Sequence, residues 1–291
     1  MPRTPGMKCW AGPAPMPRYD LHCHSTHSDG LLAPAAVVAR ARERGVDVLA
    51  LTDHDEVSGL PEAQDAALAA GMTLVCGSEI SVTWRGITIH ILALGIDPEN
   101  ATLAGGLAGI RAGRSTRARR IADALAEAGI GGAYEGAMRY VTSERLVSRT
   151  HFARHLVAAG HARDMKDVFA RYLTPGKPGH VAHDWATLSQ AVGWIHAAGG
   201  QAVIAHPGRY PVNARGLRRL LTEFRDTGGD AIEVVSPSHA RKQYAEFATH
   251  ARILGLRGSC GSDWHGPGES WMELGALPDM PVGVVPVWKD W

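Results

Sequence analysis

The sequence predicts an α/β fold: strands and helices alternating into a barrel, interrupted once by an inserted helical subdomain. Three observations predict it. Near-continuous apolar runs of strand length recur with amphipathic helices between them, as expected for parallel strands covered on both faces. One long Ala- and Arg-rich stretch breaks this rhythm, and the histidines and carboxylates gather where strand-like runs end.

Residues 1–17, rich in Pro and Gly, read as a loose leader without the apolar region of a signal peptide. Tyr19–Cys23 is the first strand, and Pro34–Arg44 follows as a helix with proline at its first turn. Val46–Thr52 is the second strand, and Pro61–Ala70 is a helix ending at Gly71, a natural C′ residue. Met72–Cys76 is a third strand, and Ile80–Trp84 and Ile87–Leu94 flank Arg85-Gly86 as a hairpin. From 99 to 177 no strong strand is visible, and Gly105-Gly106, Gly129 and Gly131-Gly132 suggest breaks between helices. The alternation resumes with helix Leu188–Ala198, strand Gln201–Ala205, helix Leu217–Asp226, strand Ala231–Val235, helix Ala240–Leu254 and strand Leu256–Cys260. The expected organisation is therefore a barrel of residues 18–98 and 178–291 with an insert of residues 99–177.

At 45% hydrophobic and 20% charged, the 291 residues can bury a sizeable core. Thirty basic residues against 29 acidic ones leave a formal net charge of +1, so a preference for phosphate must come from local clusters. Cys9, Cys23, Cys76 and Cys260 form no CxxC pair and read as free thiols in a reducing, cytoplasmic setting. No run of about 18 apolar residues suggests a membrane span.

Fifteen histidines stand out. Asp20, His22 and His24 close the first strand, with His27, Ser28 and Asp29 in its loop. Asp53, His54 and Asp55 close the second, Glu79 the third, His206 a later one, and Asp263 and His265 the last, while His90 lies on the hairpin. Catalytic residues of parallel barrels sit at that face. In H-x-H at a strand end both side chains point the same way, because the side-chain period is two, so His22 and His24 can hold one ion together. Asp263 with His265, and Asp53 with Asp55, repeat that spacing. Nitrogen and oxygen donors without thiolate suit Mn²⁺ first, with Fe²⁺ or Zn²⁺ as alternatives. So many donors exceed the needs of one ion. Two or three divalent ions are expected, with a carboxylate such as Glu79 bridging, an arrangement suited to phosphoryl displacement. Alone, His90 or His206 would read as a satisfied core histidine or a strand end; the set as a whole does not.

In order along the chain, DLHCHSTHSDG, ALTDHD, GSE, AHPGR and GSDWH resemble the successive motifs of the polymerase and histidinol phosphatase (PHP) family over about residues 18–98 and 178–270. The resemblance implies a distorted (β/α)₇ barrel with a trinuclear metal centre. It implies a first ion on His22, His24, Glu79 and Asp263, a second on Glu79, His90 and His206, and a third on Asp29, His54 and His265. Asp29 takes the place that an early-loop histidine holds in some members, and His27 stands close by.

The insert, with GRSTRARR, SRTHFARHL and YLTPGKPG, is similar to that of bacterial 3′,5′-nucleoside bisphosphate phosphatases, whose relatives also act as 5′-to-3′ exoribonucleases on short RNA. Arg111, Arg114 and Arg117 recur every three residues along one side of a helix, and guanidinium forks pair phosphate in two-point fashion. The expected activity is removal of the 3′-phosphate of a small 3′,5′-bisphosphorylated nucleotide. Arg114, Arg117 and Arg149 would hold the other phosphate. Asp29, His54 and His265 would face the reacting one, with His265 or His54 protonating the leaving oxygen. His151 is a possible second arm, and Lys177, His180 and Arg209 are weaker candidates. The rivals are an exoribonuclease using the same site, a non-catalytic PHP module, and a histidinol-phosphate phosphatase, which would leave the arginines unexplained.

Overall fold

A computed structural model describes residues 16–142 and 146–291, so residues 1–15 of the expected leader, with Cys9, lie outside the described residues. Seven strands pair in chain order: β1 (Tyr19–Asp20), β2 (Val48–Leu51), β3 (Thr73–Trp84), β4 (Ile87–Leu94), β5 (Gln201–Ile204), β6 (Ala231–Val235) and β7 (Arg257–Cys260). Neighbours run parallel except at β4, which is antiparallel to both β3 and β5. The two edges meet: Leu21 N–H donates to Cys260 O at 3.0 Å, His24 N–H donates to Trp264 O at 2.9 Å, and Cys23 bridges Trp264 in parallel register. The sheet thus comes close to a closed seven-stranded barrel, as the sequence suggests. Leu21, Ala50, Val75, Leu92, Leu94, Val203, Ala205, Ala231 and Val287 fill its apolar interior.

Helices α1 (Pro34–Glu43), α2 (Leu60–Ala70), α7 (Leu188–Ala197), α8 (Ala214–Asp226) and α9 (Arg241–Leu254) cover the outer face. The insert contributes α3 (Ala101–Glu127), α4 (Ala133–Met138), α5 (Arg149–Ala158) and α6 (Met165–Val168), the last followed by a π-helical turn, Phe169–Leu173.

Two local expectations change. Met72–Cys76 and Ile80–Trp84 are one continuous strand, β3, whose first part pairs with β2 and whose remainder pairs with β4, with isolated bridges from Glu79 to His54 and from Val82 to Ala186. Glu79 therefore lies within a strand rather than at its end, just past the point where β2 stops. Gly77 permits this join, because a Cβ there would come within 2.9 Å of both Ala93 O and the Thr52 methyl. Second, α3 does not break at Gly105-Gly106. Its Asn100 side chain caps Thr102 and Leu103, and Gly106 lies so close to the Trp194 indole that a Cβ would overlap it.

Packing changes hands inside α3. Leu103, Leu107 and Ile110 join the barrel's outer core, whereas Ala118, Ile121 and Leu125 belong to a separate core with Phe152, Leu156, Val168 and Leu173. Arg111, Arg114 and Arg117 occupy the intervening turns, where barrel and insert meet. Among the described residues, no helix is long and apolar enough to cross a membrane, and Cys23, Cys76 and Cys260 are free thiols.

Candidate metal centre

Residues from six strands and their following loops converge at one end of the barrel. His22 Nε2, His24 Nε2, Glu79 Oε2 and Asp263 Oδ1 form the tightest group. His22 Nε2 and His24 Nε2 are 3.2 Å apart, and each lies 3.3 Å from both Glu79 Oε2 and Asp263 Oδ1. Those five separations are edges of a tetrahedron whose centre would lie about 2.0 Å from each atom, a zinc–nitrogen or zinc–oxygen bond length.

Glu79 is the hub. Its Oε1 lies 2.7 Å from His90 Nδ1 and 2.9 Å from His206 Nε2. Its Oε2 lies 3.0 Å from His54 Nδ1, besides the two contacts already given. One carboxylate thus meets five imidazoles. A third group forms around Asp29 Oδ1, 3.4 Å from His265 Nε2 and 3.8 Å from His54 Nε2. Ligand atoms of His24, Asp29, His54 and His265 all fall within 4.8 Å of one another.

The buried polar atoms support an ion-holding role. Glu79 Oε2, Asp29 Oδ1 and His54 Nδ1 are shielded from solvent yet make no hydrogen bond. Buried polar atoms are normally satisfied, and these three belong to residues of the convergent ligand groups. Burial alone would lift the Glu79 carboxyl, but His90, His54 and His22 hold it well below the usual carboxylate range. Burial is likewise outweighed at Asp263 by His22 and His24, and at Asp29 by His54 and His265. At His22, burial disfavours the cation, but Glu79, Asp263 and Glu233 override it and raise its pKa well above normal. The donor set thus fits divalent cations.

A second layer fixes these ligands. Glu233 Oε1 accepts a hydrogen bond from His22 Nδ1 at 3.0 Å, and Glu233 Oε2 accepts the His206 backbone N–H at 2.6 Å. This carboxylate–imidazole pairing sets the tautomer that leaves His22 Nε2 free for an ion. His206 (φ 28°) and Asp263 (φ 47°) both have left-handed backbone, so two ligand candidates sit on strained chain. His265 Nδ1 is tied to Asp263 O at 2.9 Å.

Several sequence candidates lie elsewhere. Asp53 does not share an ion with Asp55; its oxygens accept from Ser25 N, Ser25 Oγ and Ser28 Oγ and brace the loop that carries Asp29. Asp55 accepts from Ser81 and from Arg114. Asp20 receives Ser262 N–H and Gly275 N–H, and His27 pairs with Ser58. His151 is no phosphate arm. Its Nδ1 accepts the Ser148 N–H, and burial presses its pKa down to about 4. Arg111 donates to the Asp55 carbonyl and approaches Glu56 at 3.5 Å.

A cleft opens on the cluster and is lined by Asp29, His54, Glu79, His90, Asp263 and His265. Arg114, Arg117, Arg149 and Arg209, with Phe169 and Trp185, line the same cleft. Arg114 spends its Nε and Nη2 on Asp55 and Ser81. Among the described residues Arg117 donates only Nε, to Val181 O at 3.1 Å, and Arg149 only Nη1, to Leu173 O at 3.4 Å. Neither meets a carboxylate within 4.0 Å among the described residues. Burial, with Arg149 and Arg114 nearby, pushes Arg117 down to about 9; burial, with Arg209 and Arg114 nearby, pushes Arg149 down to about 10. Both remain cations at neutral pH. Trp185 underlies Arg114 and Arg117 at 4.8 and 5.4 Å, and Phe169 underlies Arg149 at 5.6 Å.

Sequence reasoning missed Glu233, Ser148, Arg154, Phe169 and Trp185. Only Glu233 carries a signal, as a lone carboxylate within the apolar run AIEVV.

Comparison with known proteins matches this architecture. The PHP domain matches residues 20–104. Over 275 residues, covering 94% of this chain and 96% of the relative, the chain is 50% identical to the 3′,5′-nucleoside bisphosphate phosphatase of Chromobacterium violaceum. Over 272 residues, 94% of this chain and 98% of the relative, it is 43% identical to a 5′-3′ exoribonuclease of Haemophilus influenzae. The solved structure of an amidohydrolase from Chromobacterium violaceum, holding sulfate and no metal, superposes with a TM-score of 0.91 at 50% identity, covering 94% of this chain and 95% of that one. With its motifs in order on a near-closed barrel and relatives this similar over nearly their full length, the chain belongs to the PHP family.

Proposed function

We propose that the protein is a metal-dependent phosphatase that removes the 3′-phosphate from 3′,5′-bisphosphorylated nucleotides, such as 3′-phosphoadenosine 5′-phosphate, leaving AMP. One observation carries the reading. A buried guanidinium, Arg117, and a part-buried one, Arg149, lack a carboxylate partner among the described residues and line the same cleft as the carboxylate–imidazole cluster. A substrate with one phosphate on the cluster and another on the arginines supplies the missing charge. The name of the Chromobacterium violaceum relative supports the same reading.

Two or three divalent ions would be held, Mn²⁺ by preference: the first by His22, His24, Glu79 and Asp263, the second by Glu79, His90 and His206, the third by Asp29, His54 and His265. Such ions, when bound, activate water and neutralise charge on the reacting phosphate. The chain's own part is positional and electrostatic. Glu233 fixes His22, Arg209 stands 3.6 Å from Asp263 at the rim, and Arg117 and Arg149 hold the non-reacting 5′-phosphate as two forks. Arg114, committed to Asp55, contributes charge and support rather than a fork. A ring nitrogen that holds an ion has no proton to give. His54 has both nitrogens turned to carboxylates and His265 has Nδ1 tied to a carbonyl, so His265 would protonate the leaving 3′-oxygen from Nε2, in the two-ion form in which that nitrogen holds no ion.

The Haemophilus influenzae relative favours a second reading, a 5′-to-3′ exoribonuclease on short 5′-phosphorylated RNA. The bond cleaved occupies the same place, because the first internucleotide link is also a 3′-phosphate ester. Free thiols at Cys23, Cys76 and Cys260 support a cytoplasmic setting. Turnover measured on 3′,5′-bisphosphates, 5′-monophosphates, histidinol phosphate and 5′-phosphorylated oligoribonucleotides, with and without chelator, tests the proposal. Bisphosphates should lead by at least tenfold, and equal turnover of monophosphates would overturn it.

A further inference from the structure

The insert touches the metal centre as well as the substrate side of the cleft. Ser148, the N-cap of α5, donates its hydroxyl to Asp29 Oδ2 at 2.9 Å, and the Ser148 Oγ accepts the Thr150 N–H at 3.1 Å. The hydroxyl proton is therefore committed to Asp29. With Oδ2 satisfied, Asp29 offers only Oδ1, the atom that faces His54 and His265 and makes no hydrogen bond.

Nearly two turns further along α5, buried Arg154 reaches the same loop. Its Nη2 donates to the Asp29 backbone carbonyl at 2.5 Å, while Nε and Nη2 fork onto Glu269 at 2.7 Å each. Glu269 follows His265 in the loop after β7, where Leu31 N–H donates to His265 O and His265 N–H donates to Ser270 Oγ. Arg154 thus pins together the two loops that carry Asp29 and His265, without lining the cleft itself. Nothing in the insert makes a comparable contact to Asp263, His22, His90 or His206 among the described residues.

We infer that Ser148 and Arg154 are positioning residues for the third half-site alone: α5 sets the affinity of the Asp29–His54–His265 group for its ion and leaves the His22–His24–Asp263 group unaffected. Because Arg149 is the next residue after Ser148, the insert fixes the phosphate fork and this half-site as one rigid piece. The inference rests on the metal-centre reading under Proposed function.

The test is Mn²⁺ binding by the full chain, followed by calorimetry and electron paramagnetic resonance without substrate. Wild type and Asp29→Asn are compared with Ser148→Ala, Ser148→Thr and Arg154→Gln, and melting temperature reports folding. Second-layer partners typically govern metal affinity by about 10- to 100-fold. Ser148→Ala and Arg154→Gln should therefore weaken by about that much the same ion that Asp29→Asn removes, with the other ions unchanged, and Ser148→Thr should restore it. Unchanged affinities, or equal weakening of every ion, would overturn the positioning role. A wild type whose ion count is indifferent to Asp29→Asn would sink the third half-site itself, and this inference with it.

Discussion

Replacing Arg117 with Ala should separate substrates that carry a second phosphate from those that do not. In the folded protein Arg117 spends one N–H on Val181 O, and among the described residues its terminal nitrogens bond nothing, which leaves them to fork onto an anion. A charge-assisted hydrogen bond contributes roughly 1.5–3 kcal/mol. At about 1.4 kcal/mol per decade, losing one contact lowers kcat/KM on a 3′,5′-bisphosphate about ten- to hundredfold. An aryl phosphate, which meets only the metal-side groups, should change less than about threefold on the same scale. Arg149→Ala should act alike. Arg114→Ala should differ, because it strands the buried Asp55 carboxylate, a loss of about 3–5 kcal/mol that falls on stability and on both substrates. Steady-state kinetics on the two substrates, with metal content and urea unfolding in parallel, reads each outcome. Equal losses on both substrates for Arg117→Ala would refute the phosphate clamp.

Glu233→Gln should keep the fold but weaken the ion held by His22 by about 10- to 100-fold, read by calorimetric Mn²⁺ titration; unchanged affinity would show that Glu233 does not orient His22. The metal-free protein should also lose stability as pH rises. Burial opposes charge on His24, but its bonds to Asp263 and Glu79 lift its pKa from 6.5 to about 10. A raised folded pKa stabilises fully below 6.5, and that contribution disappears as pH climbs through about 10. Melting temperature without metal should fall across that window, and the stabilisation given by excess Mn²⁺ should grow. A flat metal-free profile would contradict the protonated-histidine picture.

The barrel was legible because its strands are short apolar runs at strand-and-helix spacing, and the cluster because donors recur at their ends. What hid was set by tertiary contact. Helix α3 runs through Gly105-Gly106 because Trp194, distant in sequence, fills the space a side chain would need. Asp53 and Asp55 share the H-x-H-like spacing of true ligand candidates, and only the serines and Arg114 around them show that they brace loops instead. Arg114 and Arg117 look equivalent on a helix face, yet a buried carboxylate claims one and leaves the other its fork. Ser148 and Arg154 carry no local signal, since their partner Asp29 lies more than a hundred residues earlier.

The central claim is that Mn²⁺-replete protein breaks the 3′-phosphate ester of a bisphosphorylated nucleotide while the arginines keep the 5′-phosphate. Phosphorus NMR of the reaction with 3′-phosphoadenosine 5′-phosphate follows both esters at once. The account predicts loss of the 3′ resonance, growth of inorganic phosphate and a retained 5′ resonance, all abolished by chelator. Loss of the 5′ resonance first, or turnover undiminished by chelator, would contradict it.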